Sequence, residues 1–188
     1  MVGNWKADGA ARAALPAGGL STILTGMGSL SYGEVAGQRM KLGLLLHDPE
    51  EEHDCFSDNT HISHLYDAVG VRNVYLGKYT RVDGTVVEGP SLSQEIAAKD
   101  AKLDGEIKAL LDDTVAKAEV LKTKAEAGEH YDQQIGEGNV EGNAGVQATI
   151  DAFIAQTRGF ERAVALLNLD NVTIEDSDSL SNPDAVFK

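Results

Sequence analysis

The sequence predicts an all-α protein, a helical bundle of about four main helices with one small β-hairpin inserted. Three observations lead there. Aliphatic residues recur at helical spacing through most of the chain. Strand-forming residues concentrate only between 74 and 90. The composition is 42% apolar but only 5% aromatic, so the core must be built from Leu, Ile, Val and Ala.

Residues 1–19 read as a lead-in, with Gly9, Pro16, Gly18 and Gly19 as breakers and Trp5 as a packing anchor. The first helix runs from Leu20 to His47. Its stripe is Leu20, Leu24, Met27 and Leu30, and the continuation meets Glu34. An ionised carboxylate on an apolar stripe needs a partner or a raised pKa. Arg39, Arg158 and Arg162 are the candidate partners. Five glycines lie from Gly26 to Gly43, each costing about 1 kcal/mol relative to Ala in a helix. Either the helix is partly broken, or Gly33 and Gly37 admit a close neighbour.

Pro49 then interrupts an acidic turn. Asp58 or Asn59 is placed to cap a second helix from Thr60, with Ile62, Leu65, Tyr66, Val69 and Val74 as its stripe. Within 74–90, Asp83-Gly84 lies between two strand-like runs and predicts a type I′ hairpin. Ser91 with Gln94, or more loosely Ser93, reads as a capping box opening one long helix to Gly128, roughly 50 Å at 1.5 Å per residue. Residues 129–143 read as a loop with a short helical turn. The last long helix spans 143–168, with Val146, Ile150, Phe153 or Ile154, Thr157, Phe160, Val164 and Leu167 inward. The tail, 170–188, is acidic and turn-rich and is expected to be loosely ordered. The 188 residues suit one domain.

Sixteen Lys and Arg against thirty Asp and Glu leave a net charge of −14. A nucleic-acid binder needs a basic face, and so does a protein that docks on anionic lipid. No apolar run approaches the roughly 18 residues of a membrane span, and the first residues lack the pattern of a signal peptide. Cys55 is the single cysteine, which precludes an intrachain disulfide. Its neighbours are acids, which oppose thiolate formation, so it reads as packed or incidental.

Four of the five histidines, His47, His53, His61 and His64, fall in the stretch that also holds Asp48, Glu50, Glu51, Glu52, Asp54 and Asp58. Imidazole with carboxylate suits zinc or iron. His61-x-x-His64 places two imidazoles on one helical face. Two-residue spacings are common in so acidic a segment, however, and a solvated, helix-capping corner explains them as well. A ferritin-like di-iron site needs its Glu-x-x-His pairs on separate helices, and here they share one corner. The chain has no His-Glu-x-x-His, Gly-x-Ser-x-Gly or phosphate-loop motif.

Two runs are more distinctive. Leu24 to Glu34, with Arg39 and Met40 following, and Asp48-Pro49-Glu50-Glu51-Glu52-His53-Asp54-Cys55-Phe56-Ser57-Asp58-Asn59-Thr60-His61 resemble segments of the imelysin family. The branch is that of iron-regulated protein A and the insulin-cleaving metallopeptidases. Val74-Tyr75-Leu76-Gly77 and Gln156-Thr157-Arg158 resemble it too. The resemblance implies two all-helical halves, of which this chain is similar to the C-terminal one. It also implies a periplasmic or outer-membrane location and a role in iron acquisition. The family's peptidase label attaches to a Gly-x-His-x-x-Glu motif in the other half; His47-x-x-Glu50 has Leu45 in place of that glycine and does not carry the role.

By this resemblance a metal, iron or zinc, would be held by Glu52, His53, Asp58 and His61, with Glu34, Arg39 and Asn59 as a supporting network. The expected function is a module that binds a metal ion or a protein partner. A metal-dependent peptidase is one alternative. The other is a structural half-domain that pairs with a second copy or with the missing N-terminal half.

Overall fold

A computed structural model describes residues 17–187. Helix α1 (Ala17–Ser29) runs without interruption into a π-helical segment (Leu30–Lys41) and then into α2 (Leu42–Leu46). His47, in the left-handed region, ends the rod, and a 3₁₀ turn follows at Pro49–Glu51. Helix α3 (Thr60–Leu76) leads into strands β1 (Lys78–Thr80) and β2 (Val86–Glu88). The remainder is α4 (Leu92–Ala97), α5 (Ala101–Glu126), α6 (Tyr131–Ile135), α7 (Val140–Leu166) and α8 (Asp178–Ser181), with a last 3₁₀ turn at Pro183–Ala185.

Four rods form the bundle. Helix α7 packs against both α5 and the π-helical segment, α5 packs against α3, and α3 closes the ring on the π-helical segment. Two aliphatic clusters fill it. One, under the α6 end, contains Val35, Met40, Leu65, Tyr131, Ile135, Ile150 and Phe153. The other, under the hairpin end, contains Leu24, Tyr75, Ile96, Ile107, Leu111 and Phe160. The fold class is the one the sequence predicts.

Several elements differ from expectation for identifiable reasons. Tyr75 and Leu76 belong to α3, not to the hairpin, because Gly77 in the left-handed region ends the helix just after them. The hairpin pairs Lys78 with Glu88 and Thr80 with Val86. Its loop is not the two-residue type. Arg81 N–H donates to Thr85 at 2.8 Å, the Gly84 N–H returns to Arg81, and Gly84 has φ 82°. That is the three-residue class, a turn followed by a left-handed glycine.

The long helix expected from Ser91 is cut in two. The Ser91 side chain does cap α4, accepting from Gln94 N–H at 3.1 Å. Asp100 then takes an extended backbone and caps α5, its Oδ1 accepting from Leu103 N–H at 2.9 Å. An Asp100→Ala variant is expected to lose about 1 kcal/mol, the usual worth of an N-cap. A lowered urea midpoint at unchanged slope would show this; an unchanged midpoint would mean that packing alone sets the break.

The second helix turns a different face inward. His61, His64, Leu65, Ala68, Val71 and Tyr75 are buried, whereas Tyr66 and Val74 are exposed. The tail is not loose throughout: Ser177 and Ser179 are buried against the π-helical segment. Trp5 lies outside the described residues, and Cys55 is exposed rather than packed. Among the described residues no helix is long and apolar enough to cross a membrane.

Candidate functional site

The corner where the π-helical segment, the 48–59 turn, α3 and α6 meet collects the histidines and acids. Glu34 does not lie on the buried stripe, as an α-helix would place it; it is half-buried. In an α-helix, residues three or four apart are neighbours and residues five apart are not. The i→i+5 winding makes Glu34 and Arg39 neighbours, and their side chains pair at 3.3 Å.

Arg39 is the centre of this side of the corner. Besides Glu34 it reaches Asp67 on α3 at 3.7 Å. Its Nη1 also lies 3.1 Å from His53 Nε2. A guanidinium can only donate, so His53 Nε2 is the acceptor. The ring of His53 stacks at 6.4 Å on that of His64, which is fully buried. His64 in turn meets the ring of Tyr131 edge-on at 5.2 Å.

The turn is tied down from below. Asp54 N–H donates to Thr60 Oγ1 at 3.0 Å, and Ser63 donates its hydroxyl to the Asp54 carboxylate. Asp58 adopts φ 52° and turns away from α3 to pair with His130 Nδ1 at 2.8 Å. Asn59 stands at the helix start without capping it by its side chain. The cap expected of Asp58 or Asn59 is therefore absent, because Asp58 is spent on the α6 side. His47 donates Nδ1–H to the Ile135 carbonyl at 2.6 Å.

Glu52 and His61 are buried on the other side of the corner. Burial raises the Glu52 carboxyl above the usual range; a Thr60 hydrogen bond opposes this, while Asp132, Asp58 and Asp54 reinforce it. Burial lowers His61, against the pull of Asp58. Burial also lowers His64, to about 3, with His53 and Arg39 adding to the effect. It raises Asp67 in spite of Arg39, and raises the Tyr131 phenol, with the charge of Glu52 reinforcing that shift. Every one of these shifts favours the uncharged form.

Buried polar atoms normally find partners. Among the described residues, buried side-chain atoms without a hydrogen-bond partner occur on Glu52, His61, both nitrogens of His64, Asp67, His130 and Tyr131, and elsewhere only on Gln134 and Gln156. Asp67 faces Arg39 and His130 faces Asp58, as given above. Glu52 Oε2, His61 Nδ1, both ring nitrogens of His64 and the Tyr131 hydroxyl have none.

The four residues expected to bind metal thus lie in one region but do not form a ready-made ligand set. His53 faces a guanidinium and Asp58 is paired with His130. Among the described residues no three His, Cys, Asp or Glu side chains converge as ion ligands. The chemistry of the orphaned lone pairs suits a cation; their present arrangement does not enclose one. Sequence reasoning noted His64 only as a spacing partner of His61. It missed Asp67, which meets Arg39 across from the π-helical segment, and His130 and Tyr131, whose placement depends on α6 arriving from some 70 residues away in the chain.

The family model described as Imelysin matches residues 1–159. No curated protein matches the chain.

Proposed function

The chain belongs to the imelysin family, and from that premise we propose that it is a binding module serving iron acquisition at an exported location, not a complete peptidase. The binding site of this reading is the corner between the π-helical segment, α3 and α6. One observation supports it above the others: the concentration of orphaned buried polar atoms on Glu52, His61, His64 and Tyr131. A carboxyl, imidazoles and a phenol with unshared lone pairs are suited to an iron or zinc ion. Glu52 and His61 are the residues to hold it, joined by His53 and Asp58 only if these leave Arg39 and His130. A hydrolytic centre would further need three gathered ligands, a bound water and a base, and that grouping has no support among the described residues.

The test is elemental analysis and titration with ferrous, ferric and zinc ions on the wild type and on Glu52→Gln/His61→Ala. The expected result is stoichiometric metal in the wild type and at least a tenfold loss of affinity in the double variant, the lower end of what a lost ligand or its support costs. Equal metal content in the two proteins would overturn the metal reading.

A second reading rests on Phe56, which is fully exposed at the tip of the acidic turn. An exposed aromatic in the same turn as the exposed Glu50, Glu51 and Asp58 suits a basic protein partner. Its test is a Phe56→Ser variant, which should lose partner capture while keeping any metal.

A further inference from the structure

The stretch 174–181 lies along the helical rod in a way that a regular α-helix would not permit. A Cβ on Gly28 would come within 2.7 Å of Ile174, and one on Gly33 within 2.8 Å of the Glu175 carbonyl oxygen. One on Gly37 would run into the Ser177 side chain, 2.7 Å from its Oγ. Gly28 and Gly37 are nine residues apart, about two and a half turns of an α-helix, which would put them on opposite faces. The wider i→i+5 winding brings them onto one face, and there the tail lies. Hydrogen bonds fasten it. Glu175 N–H donates to Ser29 Oγ at 3.0 Å, and buried Ser179 Oγ donates to the Gly37 carbonyl at 2.8 Å. That same carbonyl accepts the N–H of Leu42, five residues on, so the tail binds directly to the π-type ladder.

Long π-helices are rare because their winding is less favourable than the α form, so an external contact has to select it. The same segment turns Arg39 toward Asp67 of α3, and the i→i+5 winding makes Glu34 and Arg39 neighbours, as they are not in an α-helix. We propose that residues 174–181 form a strap that selects the π winding of residues 30–41 and thereby positions Arg39 over His53 and Asp67. In this arrangement Glu34 and Arg39 are positioning residues, and Gly33, Gly37 and Ser179 act through them. Release of the strap lets the segment return to α winding, separates Glu34 from Arg39 and frees His53 Nε2. That the positioned corner is a binding site rests on the reading above; the strap itself does not.

The test uses the full chain without added metal, with backbone amide exchange and the His53 ring resonances read by NMR. Gly37→Ala is expected to speed exchange of the 30–41 amides by about tenfold or more and to displace the His53 resonances. Ser179→Ala should act the same way to a smaller degree. Gly26→Ala, where an added methyl meets nothing within 4 Å, should change neither. If Gly37→Ala does not fold, Ser179→Ala decides. Wild-type exchange and unmoved His53 resonances in the variants that fold would overturn the strap. A zinc titration that binds nothing in any of the proteins would sink the binding reading and leave the strap standing.

Discussion

As pH falls from 6.5 toward 4.5, the wild type should lose up to about 1.4 kcal/mol of stability per pH unit relative to a His64→Phe variant. The sign follows from where the proton goes. His64 is fully buried and held down to about 3, while in the unfolded chain it titrates near 6.5. Between those values the unfolded state binds the extra proton, so stability falls as pH falls. It is fully present above 6.5. His61, also lowered, acts in the same direction. Glu52 and Asp67 are raised and act the other way, their folded forms holding protons above 4.5 and 3.8. Comparing the two proteins cancels those contributions. Phe fills nearly the same space and removes two orphaned nitrogens, so it should also stabilise the fold near neutral pH by about 1–3 kcal/mol. Urea midpoints at several pH values measure both effects. Parallel pH profiles for the two proteins would show that His64 is satisfied by a partner at this corner.

The contrast between these residues and the rest of the fold indicates what a sequence can reveal. The α7 stripe was legible because Val146, Ile150, Phe153 and Phe160 follow the 3.6-residue period and all four are fully buried. The bundle class followed from such stripes alone. The π-helical segment was not legible as such. Its signals were Glu34 falling on the α-period stripe and the glycine excess around Gly33 and Gly37, which marked a close approach without saying what approached. That neighbour is an acidic, turn-rich tail with no periodicity of its own. At the corner, Glu34 with Arg39 and the acids flanking His53 stand out locally. Tyr131, His130 and Asp67 do not, because nothing local distinguishes them. Their importance comes from what lies against them: Arg39 of the π-helical segment for Asp67, Asp58 for His130 and the His64 ring for Tyr131.

Truncating either buried aromatic of α7 should cost the same stability but have different consequences for the corner. Phe153 and Phe160 are both fully buried. Removing either ring to Ala leaves a cavity and is expected to destabilise by about 3–5 kcal/mol, the largest single-residue loss expected here. Phe153 belongs to the cluster that also holds Met40, Leu65 and Tyr131, directly beneath the site. Phe160 belongs to the cluster with Leu24, Tyr75 and Ile107, at the hairpin end. A cavity is felt most by the side chains that line it, since close-packed interiors relax only partly. The Phe153→Ala variant should therefore loosen the Tyr131–His64 edge contact and shift the His64 ring resonances, whereas Phe160→Ala should leave them in place. Urea unfolding gives the stability term and ring NMR gives the local one. Equal perturbation of His64 by both variants would mean that the clusters respond as one body, and the corner would then depend on global packing. Perturbation by Phe153→Ala alone would mean that the site is supported locally, by the layer of Met40, Leu65, Tyr131 and Phe153 on which the imidazoles stand.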